Sequence, residues 1–151
     1  MSRLPRLCLL SLVLIATRLF ATDAPLWSAD LAEAQSRADG RLLLVNFTGS
    51  DWGVWCQRLK EEILTKPHFL DYAKDHLVLV ELDFPREKPL PTEQAKQNAA
   101  WAQKYAVTIY PTLLLLDATG TELGRINYMQ GGPKTFVREL KRLAAKTGKA
   151  M

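Results

Sequence analysis

Three short apolar runs constrain this chain more than anything else in it: Leu42–Phe47 (LLLVNF), Leu77–Asp83 (LVLVELD) and Leu113–Leu116 (LLLL). Each is too short for a buried helix and nearly continuous in its hydrophobicity, the pattern of strands covered on both faces. Such a sheet needs helices above and below it. The chain between the runs must supply them.

It has the spacing to do so. Ser28 to Ala38 suits a helix, with Ser28 as its N-cap and Asp39-Gly40 as its stop. After Gly49-Ser50-Asp51, the apolar residues Trp52, Trp55, Cys56, Leu59 and Ile63 recur at helical intervals, and Arg58, Lys60, Glu61 and Glu62 take the other side. This predicts an amphipathic helix with Cys56 on its buried face. Pro67 opens a further helical stretch through Lys74. Phe84 to Pro91 holds three prolines and reads as an exposed connection, ahead of a helix from Thr92 to Tyr105. Leu113–Leu116 and Glu122–Tyr128 flank Ala118-Thr119-Gly120, a length that predicts an antiparallel hairpin. Pro133 then opens a last helix with an apolar stripe of Phe136, Val137, Leu140, Leu143 and Ala144. The order helix, strand, helix, strand, helix, strand, strand, helix predicts an α/β fold with parallel central strands, one antiparallel hairpin and helices on both faces.

The first 21 residues read differently. Arg3 and Arg6 precede an apolar stretch from Leu7 to Ala16, and Ala21 is a small residue at which a signal peptidase can cut. About ten apolar residues at ~1.5 Å each reach only about half of a ~30 Å hydrocarbon core. The expectation is a cleaved signal peptide over 1–21, no stable membrane span, and one mature domain over 22–151 in an extracytoplasmic, periplasmic or secreted location. A retained anchor is the alternative, because Leu19 and Arg18 fit a cleavage site poorly.

Charge excludes some functions. Three of the 20 basic residues (Arg3, Arg6 and Arg18) precede residue 22 and no acidic residue does, so the net charge of +4 falls to +1 for the rest. That near neutrality argues against a nucleic-acid partner. Lys134, Arg138, Lys141, Arg142 and Lys146 cluster near the C-terminus, but their apolar neighbours make them the wet face of a helix. No P-loop, GxGxxG or GxSxG motif is present, and the sequence implies no cofactor.

Cysteine use is sparse. Cys8 lies in the signal segment, which leaves Cys56 alone in the mature chain and excludes an internal disulfide there. One Cys with His68 and His76, at no paired spacing, is also a poor zinc site, and both histidines read as surface or cap residues.

Two segments carry a family resemblance: Phe47-Thr48-Gly49-Ser50-Asp51-Trp52-Gly53-Val54-Trp55-Cys56 and Tyr105-Ala106-Val107-Thr108-Ile109-Tyr110-Pro111-Thr112. They resemble the active-site helix and cis-proline loop of the thioredoxin superfamily. The match extends to secreted bacterial thioredoxin-like proteins with an FTGSDWCxWC run and a later DFP segment, here Asp83-Phe84-Pro85. The resemblance spans residues 26 to 147 and implies a thioredoxin-like fold with a central mixed sheet. It implies that Trp52 precedes the first catalytic position, that Cys56 fills the second, and that Pro111 forms a cis bond facing them.

The first position is Gly53. In a CxxC pair the first cysteine attacks a disulfide and the second resolves the mixed disulfide, so this chain keeps the resolver and lacks the attacker. The dithiol cycle is closed to the mature monomer. Asn46 is a second departure, standing where thioredoxin often has a buried aspartate that helps move protons. An amide cannot take up that proton, and the simpler reading has Asn46 satisfying backbone groups at the strand end.

The resemblance thus implies an exported protein of the thiol-disulfide oxidoreductase type with an incomplete active site. It would bind cysteine-containing or extended polypeptides at a groove formed by Trp52, Gly53, Val54, Trp55, Tyr110 and Pro111, docked strand-like beside the proline. The alternative is a monothiol redox protein exchanging mixed disulfides through Cys56, the candidate catalytic residue. As a residue by itself, Cys56 reads first as a small buried hydrophobe and second as a reactive thiol. Gly53 reads either as a relic or as an opening onto free N–H groups at the helix start.

Overall fold

In the computed structural model, which describes residues 26–146, the chain starts with a two-residue strand, β1 (Trp27–Ser28), and a short helix, α1 (Leu31–Ser36). The expected signal segment and Cys8 lie outside the described residues. The N-cap of α1 is Asp30, not Ser28: the Asp30 carboxylate accepts the Glu33 N–H at 3.0 Å. Ser28 is drawn into the sheet opposite Val80, so its hydroxyl accepts the Asp30 N–H instead. Sequence periodicity has no signal for so short a strand.

The three apolar runs form strands as expected: β2 (Leu42–Thr48), β3 (Leu77–Asp83) and β4 (Thr112–Leu116). Between β2 and β3 lie α2 (Val54–Leu59), which continues into a π-helical turn at Lys60–Leu64, and α3 (Pro67–His76). After β3 come α4 (Thr92–Lys104), then β4, β5 (Glu122–Ile126) and α5 (Gly132–Ala145). Pro133 is therefore the second residue of α5, after Gly131 at φ 104°, a left-handed conformation that favours glycine.

The five strands lie in the order β1-β3-β2-β4-β5. The first three are parallel, whereas β4 pairs antiparallel with both β2 and β5. The β4–β5 hairpin matches expectation. The parallel pairing of β2 with β3 does too, and the antiparallel neighbour on the other side of β2 makes the sheet mixed, as the resemblance implies.

Alternation along the strands divides the core in two. Leu42, Leu44, Leu79 and Leu113 pack with Leu59, Ile63, Phe69, Phe136 and Leu140 from α2, its π turn, α3 and α5. Leu43, Val45, Phe47, Val80 and Leu114 pack on the other side with Leu31, Ala34 and Ala102 from α1 and α4. Each fully buried leucine contributes about 1.5–3 kcal/mol, so both helical layers are needed to hold the sheet. The basic residues of α5 stay exposed, as does Lys146 beyond it.

The connection after β3 is only partly the exposed segment its prolines suggest. Arg86 to Pro89 are exposed, but Phe84 turns inward, stacking on Phe47 and meeting Tyr110 at a tilt. This loop thereby becomes part of the site.

Candidate functional site

Three loop regions meet at one end of the sheet: residues 49–53 after β2, residues 84–88 after β3, and residues 107–111 before β4. Two carboxylates fasten the first pair. Asp83 accepts Ser50 N at 2.9 Å and Ser50 Oγ at 2.5 Å. Asp51 reaches the other way and accepts the N–H groups of Arg86, Glu87 and Lys88 at 3.0, 2.7 and 3.4 Å. Those backbone donors, Arg86 first, hold the Asp51 carboxyl below its usual range.

Trp52 closes the same junction. Its indole N–H donates to the Phe84 carbonyl at 2.8 Å, its ring meets Tyr110 edge-on at 5.8 Å, and the Arg86 guanidinium lies 3.9 Å over it. Trp52 joins two loops and backs Tyr110. The adjoining cleft is lined by other residues.

Cys56 is 4% exposed, on the buried face of α2 as its spacing predicts. Its Sγ accepts the Gly49 N–H at 3.3 Å. Gly53 precedes α2 at φ −85° and ψ 99°, a conformation open to any residue, so space and not backbone freedom explains glycine here. A Cβ at that position would lie 2.6 Å from Cys56 Sγ and 2.8 Å from the Gly49 carbonyl oxygen. The room left by the missing side chain is occupied by Cys56 Sγ and the Gly49 carbonyl. The absent side chain of Gly53 therefore does not itself make an opening, and Gly53 is buried.

The concavity lies to one side. A cleft of about 420 Å³ is lined by Trp55, Ile109, Tyr110, Pro111, Asn127, Tyr128 and Gln130. Of the expected groove residues, Trp55, Tyr110 and Pro111 line it, while Trp52, Gly53 and Val54 do not. Val54 is 64% exposed beside it. The Tyr110–Pro111 bond is cis. Trp55 and Ile109 are 52% and 61% exposed, and with Val54 they are three of the four large hydrophobic side chains exposed among the described residues.

One wall of the cleft is an aromatic cluster. Trp55 and Tyr128 lie 5.1 Å apart, and the Arg58 guanidinium is 5.2 Å from each ring. Glu62 accepts from the Tyr128 hydroxyl at 2.6 Å and from Arg58 Nε at 2.8 Å. The tyrosine hydroxyl, with the arginine, holds the Glu62 carboxyl below its usual range. Opposite, Asn127 Nδ2 donates to the Pro111 carbonyl at 2.9 Å and to Thr112 Oγ1 at 3.1 Å, so the proline carbonyl is already engaged.

Ile109, Asn127, Tyr128 and Gln130 were not legible as site residues. Asn127 and Tyr128 fall within the expected strand, which ends instead at Ile126 and releases them toward the cleft. Ile109 was signalled only by its place in the proline loop.

Asn46 departs from its expected role. It is 3% exposed, and its Oδ1 accepts no hydrogen bond. It stands opposite Glu81 of β3, its partner across the β2–β3 register. No group of three or more His, Cys, Asp or Glu suited to a metal ion occurs among the described residues. Among these residues, too, no helix is long and apolar enough to cross a membrane.

Residues 29–144 match the thioredoxin-like domain family. The chain is 37% identical over 106 residues to "Disulfide bond reductase DsbH" of Chlamydia pneumoniae, covering 70% of this chain and 64% of that one. It is 32% identical over 107 residues to "Thioredoxin-related protein DsbJ" of the same organism, covering 70% of this chain and 31% of the relative. The chain therefore spans less than two thirds of either relative's length. Among solved structures, "DsbH Oxidoreductase" superposes with a TM-score of 0.75 at 35% identity, covering 88% of this chain and 93% of the other. A thioredoxin from Thermus thermophilus shares the fold, with a TM-score of 0.60 at 22% identity over 81% of this chain and 88% of its own.

Proposed function

Because the chain belongs to the thioredoxin-like domain family, we propose that it is an exported protein of the thiol-disulfide oxidoreductase type that has kept the polypeptide-binding face and lost the dithiol reaction. It acts outside the cytoplasm after residues 1–21 are removed, as the domain formed by residues 22–151. Extended polypeptides, cysteine-containing ones among them, lie in the cleft between Trp55 and Tyr110-Pro111. The similarity to a disulfide bond reductase and a thioredoxin-related protein supports the oxidoreductase type.

One observation carries the binding reading: the exposed apolar side chains gather at the 420 Å³ cleft, while the neighbouring thiol is buried. Exposed apolar clusters of this kind mark interaction surfaces. A Cys56 Sγ packed against Gly49 and Gly53 is poorly placed to meet a partner's sulfur.

The test is calorimetric titration of the mature protein with an unfolded polypeptide whose cysteines are alkylated, repeated with Trp55→Ala and Tyr110→Ala. Binding that weakens at least about tenfold in both variants is expected, the scale of aromatic anchors at interfaces. Unchanged binding in folded variants overturns the groove. Saturable binding only when the peptide carries a free thiol or disulfide, with a covalent adduct at Cys56, assigns the protein to monothiol exchange.

A further inference from the structure

The seven residues that line the cleft include no carboxylate, ammonium, guanidinium or imidazole. Its ionisable groups are two tyrosines, and both hydroxyls are held above their ordinary range, Tyr110 by burial and Tyr128 by its bond to Glu62. Both stay neutral at physiological pH. The remaining polar side chains on it are the exposed amides of Asn127 and Gln130.

Full charges stand just behind the aromatic wall, on Arg58 and Glu62. The two are an i,i+4 pair with side chains 45% and 43% exposed, so both reach solvent at the rim. Glu62 divides its carboxylate: Oε1 accepts from Arg58 Nε at 2.8 Å, and Oε2 accepts from the Tyr128 hydroxyl at 2.6 Å. The second bond reaches 66 residues along the chain and ties the pair to the cleft itself. Glu62 also lies in the π turn, an irregularity that helices often keep at functional sites. Lys66, four residues on, adds a positive charge that acts on the same carboxylate.

The arrangement has a consequence for what the cleft accepts. A guanidinium set 5.2 Å from both the Trp55 and Tyr128 rings is a ready partner for a peptide carboxylate, with its planar fork of donors. Glu62 already occupies that charge. Both Glu62 oxygens are in turn engaged, so a peptide ammonium finds no free acceptor there.

On the reading that the cleft binds extended polypeptides, we propose that Glu62 sets its selectivity: by neutralising Arg58 it makes the site choose segments with a large uncharged side chain, aromatic or aliphatic, over acidic or basic ones. The side chain packs among Trp55, Ile109, Tyr110 and Pro111, and the Arg58–Glu62 pair keeps the rim neutral.

The test is calorimetric titration of the mature protein at low salt with three cysteine-free peptides, identical except for a central phenylalanine, glutamate or lysine. The phenylalanine peptide is expected to bind at least about tenfold tighter than either charged one, the scale of burying one large apolar side chain. In Glu62→Gln, which keeps an acceptor but removes the charge, the affinity ratio of the glutamate to the lysine peptide is expected to rise about two- to fivefold, the scale of an exposed ion pair. Arg58→Gln is expected to lower that ratio by a similar factor, and Glu61→Gln, the same change of net charge at an exposed neighbour, to leave it where it was. A ratio that is unchanged in Glu62→Gln, or that rises equally in Glu61→Gln, overturns the role of Glu62 while the groove stands. Equal affinity of the unmodified protein for the phenylalanine and glutamate peptides overturns the substrate class. Binding of none of the three overturns the groove and this assignment with it. Should Glu62→Gln fail to fold, the direction of the change in Arg58→Gln decides.

Discussion

Cys56 Sγ fills the place where a side chain at residue 53 would begin: a Cβ on Gly53 would stand 2.6 Å from the sulfur and 3.1 Å from Cys56 Cβ. A disulfide needs its two Cβ atoms about 3.5–4.5 Å apart. The two positions therefore stand a few tenths of an ångström closer than a disulfide allows.

Gly53→Ala is accordingly expected to destabilise the protein by about 1–3 kcal/mol, the usual cost of forcing a methyl group into a packed site. Gly53→Cys is expected to show a similar loss under reducing conditions and to recover at least part of it when oxidised, since the disulfide draws the two sulfurs into bonding distance. Urea denaturation with and without reductant measures both. A Gly53→Ala variant as stable as the unmodified protein would mean that Cys56 simply turns aside.

Thiol labelling checks the burial. The folded protein is expected to react with a thiol probe far more slowly than the denatured chain, because Cys56 is 4% exposed and bonded to Gly49. Labelling at the denatured rate under native conditions would contradict the enclosure.

Asn98 is 2% exposed; it donates to the Asp83 carbonyl at 2.9 Å and accepts from Gln94 Nε2 at 2.9 Å. It anchors α4 to the end of β3, from which Asp83 holds Ser50. Asn98→Ala is expected to cost about 1–3 kcal/mol by leaving the Asp83 carbonyl unsatisfied. Thermal or denaturant unfolding gives the value.

Two carboxyls make opposite contributions to the pH dependence of stability. Asp51 is held below its usual range by backbone donors, so its contribution is present above the unfolded aspartate pKa and is lost as pH falls through the lower folded one. Asp51→Asn is expected to be less stable than the unmodified protein at neutral pH and to converge with it in strong acid. Glu81 is raised by burial, so the native state binds its proton more tightly than the unfolded chain does. Its cost is absent below the unfolded glutamate pKa and grows as pH rises to the folded one. Glu81→Gln is expected to gain stability relative to the unmodified protein across that window. Urea midpoints compared from acid to neutral pH distinguish the two signs.

The sequence by itself determined the framework. LLLVNF, LVLVELD and LLLL had to be buried strands because nothing that short and apolar can form a stable helix. The spacing of Leu59 and Ile63, and of Phe136, Leu140 and Leu143, fixed which helix faces cover them. Cys56 was legible as buried for the same reason, and Gly53 as the missing attacker by resemblance alone.

Tertiary structure decided what periodicity does not encode. Ser28 entered a two-residue strand because the edge of β3 was open to pair with it, and the N-cap passed to Asp30. The cleft was assembled from Trp55, Ile109, Tyr110 and Tyr128, residues from separate elements whose meeting depends on where β5 ends and how the loops before β4 and after β3 pack. The pairing of Asn46 with Glu81 depended on the register of two parallel strands 35 residues apart along the chain. Hydrophobic spacing is a property of neighbours in sequence and so reports secondary structure. A binding surface is made by contacts across the fold, which local spacing does not record.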